Sequence, residues 1–462
     1  MTGVIELPVW LAALGGLAAA IALLDRVVGP GLRWFLRQRL HRAVDDLNER
    51  LELEIRPFKL MRRRELIDRL VYDPAVAKAA EAFEAETGMP RDLVMRKVEG
   101  YAREITPSFS AHMYFAVGAR ISRWICTSLY RVRLGYFDEA GLKGVDPGAS
   151  VVFVMNHKSN IDYLLVTYLA SSSSALSYAV GEWAQIWPLS RIIRAMGAYF
   201  IRRRDRDSLY RAVLRRYVQM ATEGGVAQAI FPEGGLSRDG RLGAPKLGLI
   251  SYIVESFQEG GARDVVFVPV GLNYDRVLED RILMGAEAGR DGKARFKVSL
   301  WTGFRFVAGY ALGRLFGRAH RFGYACVSFG RPLSLRAYLA ETRGEDPVAA
   351  LGAALGKRIG DVVPALPASV IATILERAEG PVPTIDLKLG AARLMEALRK
   401  DGAHVHIPRA DLDYAVEVGL RMLTRRGMVR EAPEGFEVVE AERPLLTFYA
   451  HSLAHIPAAQ VR

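Results

Sequence analysis

The stretch Val151–Leu165, VVFVMNHKSNIDYLL, constrains the fold of this chain more than any other. Val151, Val152, Phe153 and Val154 form a continuous apolar run of β-branched and aromatic side chains, the pattern of a buried strand. The run ends in a polar turn, Asn156-His157-Lys158-Ser159-Asn160, and a helix is expected to follow with Asp162 in its first turn. Open α/β sheets keep their ligands at the C-terminal ends of such strands. The spacing His157–x4–Asp162 suits a carboxylate that orients an imidazole and stabilises its protonated form, which makes a histidine a general base for a hydroxyl. A solvated histidine beside a helix-capping aspartate is the bland alternative for the pair alone. What the chain places around it decides between them.

Around this unit, strand-like and helical patterns alternate. Met196–Ile201 is strand-like and ends abruptly in Arg202-Arg203-Arg204, a helix is expected over Ser208–Thr222, and Ala227–Phe231 reads as a short buried strand. That strand empties into Pro232-Glu233-Gly234-Gly235-Leu236-Ser237-Arg238, and a further strand, Val265–Val270, carries Pro269 near its end. The alternation predicts an α/β fold, a mainly parallel sheet flanked by helices. Its loop ends carry matching chemistry. Arg202 and Arg203 are fixed cations suited to gripping a phosphate. Glu233-Gly234-Gly235 lets main-chain N–H groups approach a ligand. Ser237 and Arg238 add a hydroxyl and a cation at an expected helix N-terminus, an anion site. Together they describe a pocket that holds a small phosphorylated alcohol and deprotonates it for attack on an activated acyl group.

Upstream, Leu7–Leu24 is apolar throughout, about the shortest run that spans a bilayer as one helix. An interfacial helix competes with that reading, because the run is rich in Ala and Gly. Arg26, Arg33, Arg37, Arg39 and Arg42 follow it, so the positive-inside rule leaves the body of the protein cytoplasmic. The expected organisation is a membrane helix over 1–25, a helical region over 26–145 broken at Pro57, Pro74, Pro90 and Pro107, the sheet domain over 146–345, and a small helical, winged-helix-like region over 346–462. Gly141–Gly148 reads as turns, and the last region ends in a hairpin of Gly427–Arg430 with Glu437–Val439. His404 and His406 read as a strand edge, since no third metal ligand lies nearby, and no metal is expected. Cys126 and Cys326 are too far apart in sequence for a metal spacing or a disulfide framework, which fits a reducing compartment. The net charge of +12 calls for an anionic partner: lipid, phosphorylated substrate or acidic protein. Its arginines are scattered through helical sequence with no zinc-finger or RNA-binding signature, so nucleic acid is not expected.

NHKSNIDYLL (156–165), GAYFIRRRDRDSLYRAVLRRY (197–217) and FPEGGLSRDGRLGAPKLG (231–248) resemble the motif blocks of the glycerolipid acyltransferases. Those enzymes share His–x4–Asp, Gly-x-x-Phe-Ile-x-Arg, Pro/Val-Glu-Gly-x-x-Ser and a late proline. More narrowly, the chain is similar to the bacterial membrane-bound glycerol-3-phosphate acyltransferases and their dihydroxyacetone-phosphate relatives, from about Pro57 to RPLLTFYAHSLAHI (443–456). The resemblance implies His157 as base and Asp162 as its partner. It implies Arg203, with Arg202 beside it, as the phosphate grip; Glu233, Gly234, Ser237 and Arg238 as pocket residues; and Pro269 in the acyl-donor block. It further implies transfer from acyl-CoA or acyl carrier protein to the sn-1 hydroxyl of glycerol 3-phosphate, without a cofactor. The place implied is the bacterial inner membrane, with membrane phospholipid as neighbour. One position departs: Leu236 stands where the closer relatives usually carry Arg, so a phosphate contact is lost or moves to Arg238 or Arg241. Lysophosphatidate and dihydroxyacetone phosphate are alternative acceptors, and a membrane scaffold that binds phosphorylated lipid is the non-enzymatic reading.

Overall fold

The computed structural model describes residues 56–460, apart from 172–173, 182–183, 188, 203–206, 258–262, 289–308, 311–312, 314–320 and 343–345. The membrane segment expected over 1–25 lies outside them. No helix among the described residues is long and apolar enough to cross a membrane.

Every residue of β2 (Ser150–Met155) and β6 (Val265–Tyr274) is buried, as the unbroken apolar runs require of strands covered on both faces. Side-chain alternation along β2 divides the core into two layers. Val152 and Val154 face a cluster built on the helices Arg63–Val71, Pro74–Thr87, Arg91–Ile105, Ser208–Glu223, Gly248–Ser256 and Pro347–Val362. Val151, Phe153 and Met155 face a second cluster, built on Ala119–Leu129, Asp162–Ala170 and the C-terminal helices Pro367–Glu376, Thr384–Lys400, Leu412–Arg425 and Arg443–Ala450. The result is three layers, helix–sheet–helix.

The remaining strands among the described residues of this sheet are β1 (Arg131–Phe137), β3 (Ser177–Gly181), β4 (Tyr199–Ile201), β5 (Gln228–Ile230), β7 (Tyr324–Phe329) and β8 (Leu333–Ser334). Their order is β1-β7-β6-β2-β5-β3-β4, with β8 also beside β6. From β6 to β4 all pairs are parallel, so the mainly parallel sheet expected from the sequence is present. β7 reverses against β6, and β1 runs parallel to β7 at the edge. The parallel strands open at one rim, where β2 runs into His157 and β5 into Pro232, as the chain order requires.

Three local expectations differ. β1 lies inside the region read as helical and before the boundary expected at 146, because its strand character comes from pairing with β7, far along the chain. Residues 141–148 are not all turn: Asp138 caps a short helix, Glu139–Lys143, by accepting from the Gly141 amide. β6 continues past Val270 to Tyr274, because its second half finds a new antiparallel partner in β7. The prolines punctuate as expected, Pro74 at a helix start and Pro90 at the next cap. The C-terminal hairpin pairs Val429–Ala432 with Gly435–Val438, and Val405, between His404 and His406, bridges Ala365.

The C-terminal layer is fastened by a buried ion pair. Arg426 Nη2 donates to Asp280 Oδ1 at 2.9 Å, and the Tyr449 hydroxyl donates to Oδ2 of the same carboxylate at 2.5 Å. Removing one member strands a buried charge, at about 3–5 kcal/mol, whereas replacing both with apolar groups of similar size costs far less. Arg426→Ala is therefore expected to lose several kcal/mol in urea unfolding, and an Asp280→Leu/Arg426→Met double variant to recover most of it. An equal loss in both variants would contradict this account of the pair.

Candidate active site

The site is assembled by a turn that replaces strand pairing with side-chain pairing. Beyond Met155, the Asn156 side chain extends the β2–β6 ladder: its Nδ2 donates to Leu272 O at 2.9 Å and its Oδ1 accepts from Leu272 N at 2.7 Å. The main chain is thus turned off the sheet at His157. It winds onto the helix Asp162–Ala170, whose first residue is fully buried Asp162, a negative charge at the favourable end of the helix. Asp162 Oδ2 accepts from Lys158 N (2.7 Å), Ser159 N (3.0 Å) and His157 Nδ1 (2.9 Å). Its Oδ1 accepts from the Tyr274 hydroxyl at 2.5 Å. The carboxylate therefore folds the turn and orients the ring at once.

The His157 ring is 3% exposed, stacked on Phe231 with centroids 4.0 Å apart and met edge-on by Tyr163 at 5.5 Å. With Nδ1–H given to Asp162, the lone pair is on Nε2, which has no hydrogen-bond partner among the described residues. A buried ring, oriented by a carboxylate and free at its basic nitrogen, has the geometry of a general base.

The loop after β5 is bolted to this turn. Ser237 N donates to His157 O at 2.9 Å, and Glu233 takes His157 N on Oε1 (3.1 Å) and Gly243 N on Oε2 (3.2 Å). Lys158, itself buried, donates from Nζ to Gly240 O at 2.9 Å. Gly234 has φ +68°, a left-handed conformation that glycine adopts without strain, and the Lys246 stem passes over it. Burial pushes the Lys158 ammonium down to about 8, against the pull of Glu233, Asp162 and Asp239.

Not all the expected residues gather here. His157, Asp162, Glu233, Gly234 and Ser237 do. Ser237 and Arg238 do not begin a helix: the next helix starts at Gly248, because Gly240, Gly243 and Pro245 interrupt the stretch, and the Ser237 hydroxyl turns back onto Arg241 O at 2.8 Å. Arg238 is exposed. Arg202 is held elsewhere, its Nε and Nη2 on Glu104 at 2.9 and 2.6 Å and its guanidinium over Tyr101 and Tyr210. It leaves β4, the outermost strand, with β5 and β3 between it and β2. Arg203 lies outside the described residues. Pro269 is opposite Val154 within β6, and its carbonyl accepts from Gly330 N at 2.8 Å.

Sequence reasoning missed Tyr274, Lys158 and Glu279. Glu279 accepts from Ser159 Oγ at 2.7 Å and from Asn160 N at 3.2 Å, closing the turn from outside. It also missed that the C-terminal segment walls the site. Arg241 donates to His451 Nε2 at 2.9 Å, His451 Nδ1 donates to Asp239 O at 3.0 Å, and Gly240 lies directly on Phe448 O. The one signal available was the sequence RPLLTFYAHSLAHI (443–456) itself. Among the described residues, no group of three or more His, Cys, Asp or Glu is placed to hold a metal ion.

Burial raises the Glu233 carboxyl from its ordinary 4.5 to about 7, although the His157 and Gly243 amides favour its charged form. The unfolded chain releases this proton at lower pH than the folded one. The stability it contributes is thus full below about 4.5 and is lost as pH rises through about 7. Glu233→Gln is expected to remove this loss, flattening the fall of melting temperature between about pH 5 and 8; parallel curves for variant and wild type would contradict it.

A family model described as acyltransferase matches residues 138–273, and one described as the glycerol-3-phosphate acyltransferase C-terminal region matches 312–460. A glycerol-3-phosphate acyltransferase of Pseudomonas aeruginosa is 32% identical over 289 residues, covering 61% of this chain and 32% of that protein. One of Shewanella oneidensis is 31% identical over 293 residues, 61% of this chain and 34% of that protein. The chain spans about a third of the length of the curated relatives it matches. The crystal structure of the 1-acyl-sn-glycerophosphate acyltransferase PlsC from Thermotoga maritima aligns with a TM-score of 0.32 and 16% identity, over 64% of this chain and 94% of that one.

Proposed function

We propose that this chain, which acyltransferase family models match over residues 138–273 and 312–460, moves a fatty acyl group from a thioester donor to the sn-1 hydroxyl of glycerol 3-phosphate, yielding lysophosphatidate. One observation carries the reading: the buried His157–Asp162 pair, with Nε2 unpartnered, at the rim where the β5 loop converges on it. Nε2 takes the hydroxyl proton as the alcohol oxygen forms its bond to the thioester carbonyl carbon. The tetrahedral adduct then collapses, the carbon–sulfur bond breaks, and the imidazolium returns its proton to the leaving thiolate. Asp162 stabilises the transient imidazolium, an effect of general-base catalysis worth about 10²–10⁴-fold. Holding both substrates in register contributes at least as much.

The donor class is an acyl-CoA or acyl carrier protein. The phosphate of the acceptor is assigned to Arg203, from its place in the second motif block, together with Arg238 and Arg241, the last two standing in for the Arg that Leu236 replaces. Arg202 joins that grip only where Glu104 releases it. The apolar run 7–24 and the arginines after it attach the protein to the cytoplasmic face of a bacterial inner membrane, next to the phospholipid its product enters.

His157→Ala is expected to lower kcat/KM by about 10²–10⁴-fold while the protein stays folded. Asp162→Asn keeps an oxygen for the Lys158 and Ser159 amides but loses the charge behind the imidazolium. It is expected to lower kcat by about 10²-fold or more, with KM for glycerol 3-phosphate changing little. Both are read with radiolabelled glycerol 3-phosphate and a palmitoyl thioester, beside dihydroxyacetone phosphate and lysophosphatidate. Full activity of His157→Ala refutes the base, and preferential acylation of lysophosphatidate refutes the acceptor.

A further inference from the structure

Asp162 receives more donors than folding its turn requires. Oδ2 alone satisfies the Lys158 and Ser159 amides and the His157 ring, while Oδ1 takes only the Tyr274 hydroxyl. Tyr274 is the last residue of β6, fully buried, its ring packed against Tyr130 with centroids 5.4 Å apart. Phenylalanine would fill the same space, and a buried hydroxyl costs free energy unless it is bonded. What the hydroxyl adds is a short, charge-assisted bond to the carboxylate that faces the base.

We infer that Tyr274 is a positioning residue for the proposed acyl transfer: its hydroxyl fixes the plane of the Asp162 carboxylate and limits how strongly that carboxylate holds a proton on His157. The inference rests on the reading of His157 as the base. A hydrogen bond donated to a carboxylate withdraws negative charge from it. Less charge then remains to stabilise the imidazolium that proton transfer forms. With both oxygens tied, the carboxylate cannot swivel, and the ring it orients stays aimed at the pocket.

The other titratable groups facing the pair are Lys158 and Glu233 on the motif turns, Glu279 behind Ser159, Tyr163 edge-on to the imidazole, and Cys126 and Tyr130 beside Tyr274. Burial and the Asp162 charge push the Tyr274 phenol well above its ordinary value, so it remains a donor throughout the neutral range.

The test measures kcat/KM for glycerol 3-phosphate against pH in the full chain, for wild type, Tyr274→Phe and a variant with 3-fluorotyrosine at position 274. Tyr274→Phe is expected to move the acid limb to higher pH by about half a unit or more and to lower the plateau by about 3- to 10-fold. Fluorotyrosine, nearly isosteric and a stronger donor, is expected to move the limb the opposite way. A purely packing role changes the melting temperature and leaves the limb where it is. Should Tyr274→Phe fail to fold, fluorotyrosine alone decides. Active variants with unmoved limbs overturn this inference and leave the proposed function standing. A wild-type chain without transferase activity overturns both.

Discussion

A carboxylate taken out of water is costly unless its lone pairs are met, and the architecture around Asp162 meets them. Two main-chain amides, one imidazole and one phenol converge on it, drawn from the turn after β2 and from the end of β6. The need to satisfy this one group sets the shape of the turn, the start of the helix Asp162–Ala170 and the direction of the His157 ring. The rest of the site is then located by reference to that turn. Glu233 grips the amide of His157, Ser237 its carbonyl, and Phe231 supplies the surface on which the imidazole lies.

What the sequence disclosed follows the reach of each interaction. The β2 strand, the turn and the helix after it were legible because their causes are local: an apolar run, a polar break and a capping carboxylate. The parallel sheet was legible from alternation alone. Tyr274 was not, because its partner stands on another strand and nothing in its own neighbourhood marks it. β1 was read as helix for the same reason, its pairing with β7 being a tertiary event. At Ser237 and Arg238 the residue types favour a helix start, but the glycines and the proline that follow defer it to Gly248.

Arg202 separates what a motif says from what a side chain does. An arginine at a strand end suits a phosphate grip, yet here it is paired with Glu104 and lies against both Tyr101 and Tyr210, tying the edge of the sheet to the helix Arg91–Ile105. A guanidinium pairs with the nearest anion its geometry allows, and for Arg202 that anion is Glu104. Composition and motif order do not reveal such an occupant, because Glu104 lies far upstream on a helix with no motif of its own.

Gly240 has φ +84°, and its α-carbon rests on the main chain at Phe448, without room for a methyl group. Main chain against main chain leaves a joint with no slack, since neither side can rotate a side chain out of the way. The loop after β5 and the helix Arg443–Ala450 therefore bear on each other directly, and a displacement of one is passed to the other.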